Sequence, residues 1–438
     1  MHGIVASDFK FRPYWWEAAP PVPLAHGALA PTCDVAIVGA GITGAAAALA
    51  LARAGRSVAV FDKDIPGSGA SRRAAGFMGR VLKKSFSEIA AADGMEAARR
   101  TYRELDATFR FTLGLIEAEG IECHLAQPGR FIGATSHAHY AALEKDLTLL
   151  HSELGYPFRM VPASETRTEM ATDAYLGGAV IPDNGSLHPG LYHKELLDRA
   201  LASGAQVFGS TEVLSLDDQG ESGCVLRTTL GEVKARHVII ATNGYTPGQF
   251  GWYHRRVVPF RAYMAATEEL PADFLHRLLP NRRTVIDSNV NIDFFRVAPD
   301  SPRLLFGGAT AAPLDGPESI AARMHEILRR ILPEAGDARL SHVWDGYCAG
   351  TFDLVPHMGS RGAIHYALGY NFVGITTGTL FGHVIAQRIL GTGGSAGVFE
   401  GRPFPTMPLY TGNPWFLGLV MRYFDWQDRR LARSKPAA

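Results

Sequence analysis

Three glycines, Gly39, Gly41 and Gly44, stand in GxGxxG spacing within DVAIVGAGITGAAAALALARAG, residues 34–55. A short apolar run precedes them and an alanine-rich helical run follows. In that setting the first glycine permits a tight turn and the second lets a pyrophosphate approach bare main chain. The third lets helix and strand pack closely. Ile42 and Thr43 open the helix, whose unpaired N–H groups and positive dipole end suit phosphate. A second apolar run, SVAVFD, ends at Asp62, 18 residues after Gly44. A carboxylate there can hold a ribose hydroxyl pair. Lys63 beside it can cover an adenine. The pattern implies an adenine dinucleotide, and Asp62 would repel the extra phosphate of NADP.

Past Asp62 the chain reads IPGSGASRRAAGFMGR, residues 65–80. An NAD site needs no such run of small residues, whereas a flat ring lying on backbone does, so FAD is expected. Ala75, Gly76 and Phe77 would lie against that ring. Ser71 can donate to a phosphate or a ring carbonyl, and Arg72 can neutralise the pyrophosphate or hold a substrate carboxylate. A third strand end, VIIATNGY, brings Ala241, Thr242 and Asn243 to the same place, and the backbone of Val213 can meet an adenine edge. Near the C-terminus, GYNFVGITTGTLFG (369–382) interleaves glycine and threonine with large apolar residues.

The elements that must position these groups alternate between strands and helices. A βαβ unit opens the chain after an irregular arm. Helical spacing covers 88–120, 137–156, 188–204, 316–332 and 379–390; strand patterns cover 128–134, 206–216, 223–241 and much of 256–310. HPGLYHKELLDRALASG places proline early and glycine late, where each favours a helix boundary. The expected class is α/β. The pattern gives a nucleotide-binding unit assembled from distant pieces with a strand-rich domain inserted. The resemblance of its motifs to a flavoprotein family implies an FAD-binding Rossmann-like domain of glutathione-reductase type with an inserted α+β substrate domain on an antiparallel sheet. The expected division is an arm (1–30), a discontinuous FAD domain (31–110, 185–250, 340–395), a substrate domain (111–184, 251–339) and a C-terminal extension (396–438).

Composition narrows the class. The 438 residues carry 43 Lys plus Arg against 43 Asp plus Glu, so no basic footprint for nucleic acid exists. Four scattered cysteines without a CxxC pair suit a reduced cytoplasmic protein, and no metal site is expected. No signal peptide or membrane-spanning run is visible. The stretch PWFLGLVMRYFDW followed by DRRLARSK reads as a docked helix, with peripheral membrane contact through 414–433 as the alternative.

The motifs DVAIVGAGITG, GASRRAAGF, VIIATNGYTP, FFRVAPDSPRLLFGG, VWDGYCAGTFDLVPHMG and GYNFVGITTGTLFG together resemble the FAD-dependent superfamily of D-amino-acid oxidase, glycine oxidase and sarcosine oxidase. The likeness runs from about residue 14 to 391 and is strongest to the γ-glutamylputrescine oxidoreductase branch. It implies that N–H groups of Gly374, Ile375 and Thr376 face flavin N1 and O2, with a helix from Thr379 behind them. Tyr370 and Phe372 would pack the ring and the substrate side, and Gly346 would lie near the ring. The implied reaction passes hydride from a carbon beside an amine nitrogen to flavin N5. Hydrolysis of the imine then gives a carbonyl and an amine or ammonia, and oxygen becomes hydrogen peroxide. The carbon must sit within about 3–3.5 Å of N5. Arg296 is the expected carboxylate clamp; Tyr263, Tyr347, His357 and Asn371 are the other expected pocket residues.

Three departures qualify the likeness. Cys348 does not match the spacing of flavin-linking cysteines, so non-covalent FAD and a core thiol are expected. The strand Leu304-Leu305-Phe306 lacks the lysine that relatives use with oxygen, which leaves a quinone or carrier protein open as acceptor. The run Pro356-His357-Met358-Gly359 replaces the branch's usual PxFG. A flavoprotein subunit without turnover of its own is the remaining alternative. A flavin hydroxylase is disfavoured because no nicotinamide site is visible.

Overall fold

The computed structural model describes residues 3–433. Two large sheets carry the chain. In one, parallel strands Thr32–Val38, Val58–Phe61, Gln206–Phe208, Gly231–Ile240 and Ile364–Leu368 form a core. Val35, Ala36 and Ile37 are wholly buried, as a parallel strand covered on both faces requires. The ten-residue strand Gly231–Ile240 has two jobs. Its first half pairs antiparallel with Cys224–Thr228, and its last three residues pair with Ile364–Leu368.

The second sheet has nine strands, mostly antiparallel, with two parallel pairings. It includes Leu340–Gly350, which was expected in the FAD domain; that strand pairs along its length with Val258–Thr267. A boundary at residue 110 likewise falls inside the single helix Met95–Glu119. The N-terminal arm is not irregular throughout. Val5–Lys10 joins the edge of this sheet, and Tyr14–Trp16 is a short turn that buries Tyr14 and Trp15. Residues 434–438 of the C-terminal extension, including the end of the basic run DRRLARSK, lie outside the described residues.

Two glycine contacts bring the first helix, Ile42–Arg53, into place. A Cβ on Gly44 would stand 2.0 Å from the Gly39 carbonyl oxygen, so only glycine allows that approach. The helix Gly374–Ile389 crosses the first helix, and a Cβ on Gly382 would stand 2.3 Å from the Thr43 carbonyl. The glycines of the 369–382 stretch thus divide their roles. Gly378 and Gly382 admit the neighbouring helix, while the start of the helix is left for the cleft. That start is Gly374, five residues before the expected Thr379. Among the described residues no helix is long and apolar enough to cross a membrane.

The arm is fastened through buried polar groups. Arg72 donates from Nε to His193 Nδ1 at 2.9 Å and from Nη1 to the carbonyls of Ala19 and Pro20. His193 Nε2 then donates to the Ala40 carbonyl at 2.7 Å, inside the glycine turn. With Nδ1 accepting and Nε2 donating, the imidazole is neutral. Burial, reinforced by Arg72, lowers its pKa from 6.5 to about 3. A folded pKa below the unfolded value contributes stability that is complete above about 6.5 and is lost as pH falls toward about 3. His193→Gln keeps one acceptor and one donor without titrating. The stability advantage of wild type over this variant is expected to shrink as pH falls from 7.5 to 4.5 in melting experiments. A difference that stays constant with pH would contradict this coupling.

Candidate functional site

A cleft of about 890 Å³ is lined by residues of both sheets. The glycine turn forms one end: Gly39, Gly41, Ile42 and Thr43 line it, with Asp62 and Lys63 beside them. Gly44 does not; it serves helix packing, as its spacing implied. Asp62 is held by N–H groups of Ala40 (2.9 Å) and Asp64 (3.1 Å), while burial pushes its carboxyl upward. Ser71 Oγ accepts from the Ile42 N–H at 3.0 Å, which leaves its own proton free to donate. Thr211 and Val213 also line the cleft, as do Ala241, Thr242 and Asn243. Asn243 Oδ1 accepts from Gly369 N–H at 3.0 Å and so ties that strand end to the later segment.

The middle of the cleft is faced by main chain. Ala74, Ala75, Gly76 and Phe77 line it on one side, and Gly374, Ile375 and Thr376 on another, near Gly346. Every carbonyl from Arg73 to Gly76 is claimed from behind. Trp344 Nε1 donates to Arg73 O at 2.9 Å and Trp15 Nε1 to Ala74 O at 2.8 Å. Arg296 Nη1 donates to Ala75 O at 3.1 Å, and the Leu187 N–H donates to Gly76 O at 2.8 Å. Gly76 has φ +77°, and a Cβ there would strike Leu187 O at 2.3 Å. Opposite, the first intrahelical bond of Gly374–Ile389 runs from Thr377 N to Val373 O. The three preceding N–H groups are the unpaired donors of a first turn. One wall thus withholds carbonyls and the other offers donors.

Several expected site residues belong elsewhere. Arg296 is fully buried outside the cleft; besides Ala75 O it reaches Leu187 O at 2.8 Å, and its guanidinium stacks over Trp15. It is a strut for the ring-facing loop, not a carboxylate clamp. Arg72 points into the arm junction and away from the phosphate end. Tyr263 is turned from the cleft because strand alternation puts Ala262 and Met264 on the facing side; its hydroxyl donates to Ala312 O at 2.6 Å. His357 stacks on Phe404 at 4.1 Å and bonds Asp353, also outside the cleft. Asn371 does line the cleft, yet its amide is engaged. Nδ2 donates to Thr351 Oγ1 and Gly369 O, and Oδ1 accepts from Thr351 N–H. Tyr347 alone of the expected pocket residues is both in the cleft and exposed, its ring edge against Tyr245. Cys348 lines the wall and is no core thiol; burial still pushes it up to about 12. Tyr370 accepts from Thr43 Oγ1 at 2.6 Å, joining the two helix starts, while Phe372 packs on Phe260.

Sequence reading missed three contributors. Arg130, on the strand Arg130–Gly133, lines the cleft with only 5% exposure. Its bonds to Thr284 Oγ1 and Met78 O are both 3.3 Å, and it makes no ion pair among the described residues. Burial lowers its pKa to about 10. Lys83 also lines the cleft; burial lowers its pKa, and Nζ donates to Val290 O at 2.6 Å. The third is one face of the C-terminal helix, legible only as apolar residues spaced four apart. Arg130 and Lys83 sat in runs with no motif, so nothing local marked them.

The cleft fits a dinucleotide joined to a flat ring: phosphate-facing N–H groups, a ribose-side carboxylate, and a ring bed of bare main chain. Comparison with known proteins agrees. The family model described as "DAO: FAD dependent oxidoreductase" matches residues 34–388. A relative described as "Probable oxidoreductase OrdL" from Rhizobium meliloti is 28% identical over 432 residues, spanning 95% of this chain and 97% of its own. Gamma-glutamylputrescine oxidoreductase of Escherichia coli is 27% identical over 401 residues, spanning 91% and 93%. The crystal structure of glycine oxidase from Geobacillus kaustophilus superposes with TM-score 0.72 at 24% identity, spanning 86% of this chain and 99% of its own.

The role of Arg296 yields a direct test. Arg296→Met leaves buried carbonyls without donors, at a cost of about 1–3 kcal/mol. Melting temperature and retention of FAD through gel filtration should both fall, with partial recovery in Arg296→Lys. A raised KM with unchanged melting and retention would restore the clamp.

Proposed function

The chain belongs to the DAO family of FAD dependent oxidoreductases, and from that premise we propose that it oxidises the carbon–nitrogen bond of an amino acid or related amine. Bound FAD supplies the two-electron acceptor. Gly39 to Thr43 would hold its pyrophosphate, Asp62 its ribose, and Val213 its adenine. Ala75 to Phe77 and the Gly374 turn would hold its ring. The observation that carries the reading is that these residues and Arg130, which has no carboxylate partner among the described residues, line one cleft.

Arg130 takes the place expected of Arg296. A buried cation without a carboxylate partner attracts an anion, and a guanidinium fork matches a carboxylate in two bonds. Holding that carboxylate fixes the adjacent C–N bond relative to the ring bed. Tyr347, exposed in the same wall, can contact the amine. No side-chain base is needed where the amine enters neutral, since its lone pair drives loss of hydride. The apolar walls exclude water until the imine is released.

For the acceptor, oxygen reduced to hydrogen peroxide is the first reading. A specific observation favours a second, electron delivery to a quinone at a membrane surface. Trp415, Leu419, Tyr423 and Trp426 of the C-terminal segment are all exposed, Arg430 stacks on Trp426, and Arg422 is exposed. An aromatic face with basic neighbours suits an anionic lipid surface.

Anaerobic mixing of the holoprotein with amino acids and their decarboxylated counterparts tests the reading. Amino acids should bleach the visible flavin band. Arg130→Met should raise KM for them by about 30-fold, the worth of about 2 kcal/mol of charged hydrogen bonding, and leave the decarboxylated amine unaffected. Loss of equal size for both ligands would remove Arg130 from substrate binding. Admission of air, or of a quinone with anionic vesicles, then identifies the acceptor by which one restores colour faster.

A further inference from the structure

The helix Leu417–Arg433 lies beyond residue 388, where the family match ends. Its residues Val420, Met421 and Phe424, with Phe416 just before its first residue, line the cleft. Their spacing is that of one helix face. The helix is pinned, not merely adjacent. Asp428 Oδ2 accepts from Val290 N–H at 3.1 Å, and Phe416 packs on Phe352 with ring centres 6.1 Å apart. Ile292 and Phe294 line the same cleft, the latter edge-on to Phe77.

Lys83 is tied to Val290 O, and Glu88 accepts from the Ser85 N–H of a helix cap. Lys83, Lys84 and Arg130 line the cleft here with Glu88, and Asp428, Asp287 and Glu88 all act on Lys83. The carboxylates at this end thus already face a cation, and none is left over for a second ammonium on the substrate. Phe416, Val420, Met421 and Phe424 with Ile292 and Phe294 give this end an apolar lining between the charged groups, and a polar tail laid on it would lose its hydration without replacement.

We infer that the C-terminal helix roofs an apolar subsite and that the substrate carries a bulky hydrocarbon or aromatic substituent near its reacting carbon. The assignment rests on the amine-oxidation reading for what the rest of the molecule is. It distinguishes this chain's substrate from a small amino acid and from a polyamine.

Two readouts test it on the purified holoprotein. Perturbation of the visible flavin band measures binding of acetate and of 3-phenylpropionate, neither of which can be oxidised at a C–N bond. Anaerobic bleaching compares sarcosine, putrescine and both enantiomers of N-methylphenylalanine. The expected result is that phenylpropionate binds at least tenfold tighter than acetate and that an N-methylphenylalanine bleaches fastest. Phe424→Ala should lower the bulky-to-small binding ratio about tenfold, and Val420→Phe, which fills the space instead, should lower it too. Equal binding of the two acids, or an unchanged ratio in both variants, overturns the subsite; bleaching by sarcosine would then leave the amine reading standing. Tighter phenylpropionate binding with no amine bleaching the flavin keeps the subsite and overturns the amine reading.

Discussion

A flat ring can lie on main chain only where the carbonyl oxygens of that chain point elsewhere. Here four consecutive carbonyls, Arg73 to Gly76, are drawn backward by Trp344, Trp15, Arg296 and the Leu187 N–H. The donors come from four distant parts of the sequence. The first turn of Gly374–Ile389 adds N–H groups from another side. Negative charge brought to the enclosed space by two electrons would therefore meet donors and no opposing carbonyl. The arm, both sheets and the helix crossing converge on this arrangement, which explains why a Trp-rich arm folds into the body.

Three buried arginines show how context divides one side-chain type. Arg72, Arg130 and Arg296 are each at most 5% exposed, and burial lowers the pKa of each to about 10. Arg72 and Arg296 have short bonds to carbonyls or to His193, so their desolvation is offset within the fold. Arg130 has two long bonds and lies over the Phe77 ring at 5.3 Å, with no short bond to a carbonyl or carboxylate. A guanidinium placed so is costly unless a ligand completes it. The difference between strut and binding group lies in partners alone, and partners are set by tertiary structure.

That is why the sequence was legible in parts. The glycine turn, Asp62 and the small-residue loop after it were readable because each needs a local pattern, small residues beside a strand end and a helix start. Gly374 to Thr376 entered only through the family resemblance, and the helix there was expected five residues late. Tyr263 was misplaced because a strand alternates its faces, and a one-residue difference in phase decides between cleft and core. Arg296 shares the face of the cleft-lining Phe294 but lies two residues further along, where Trp15 and Leu187 cover it. Leu340–Gly350 joined the other sheet because its partner Val258–Thr267 lies far away in the chain. The roof helix was visible as a helix, but what its apolar face covers depends on Val290 and Phe352, which no local pattern ties to it.

The most direct test of the central claim is the two-electron reduction potential of FAD bound to the purified protein. Donors gathered at one edge, with the carbonyls turned away, should raise it above the potential of free FAD measured in the same buffer. A potential at or below the free value would contradict the account.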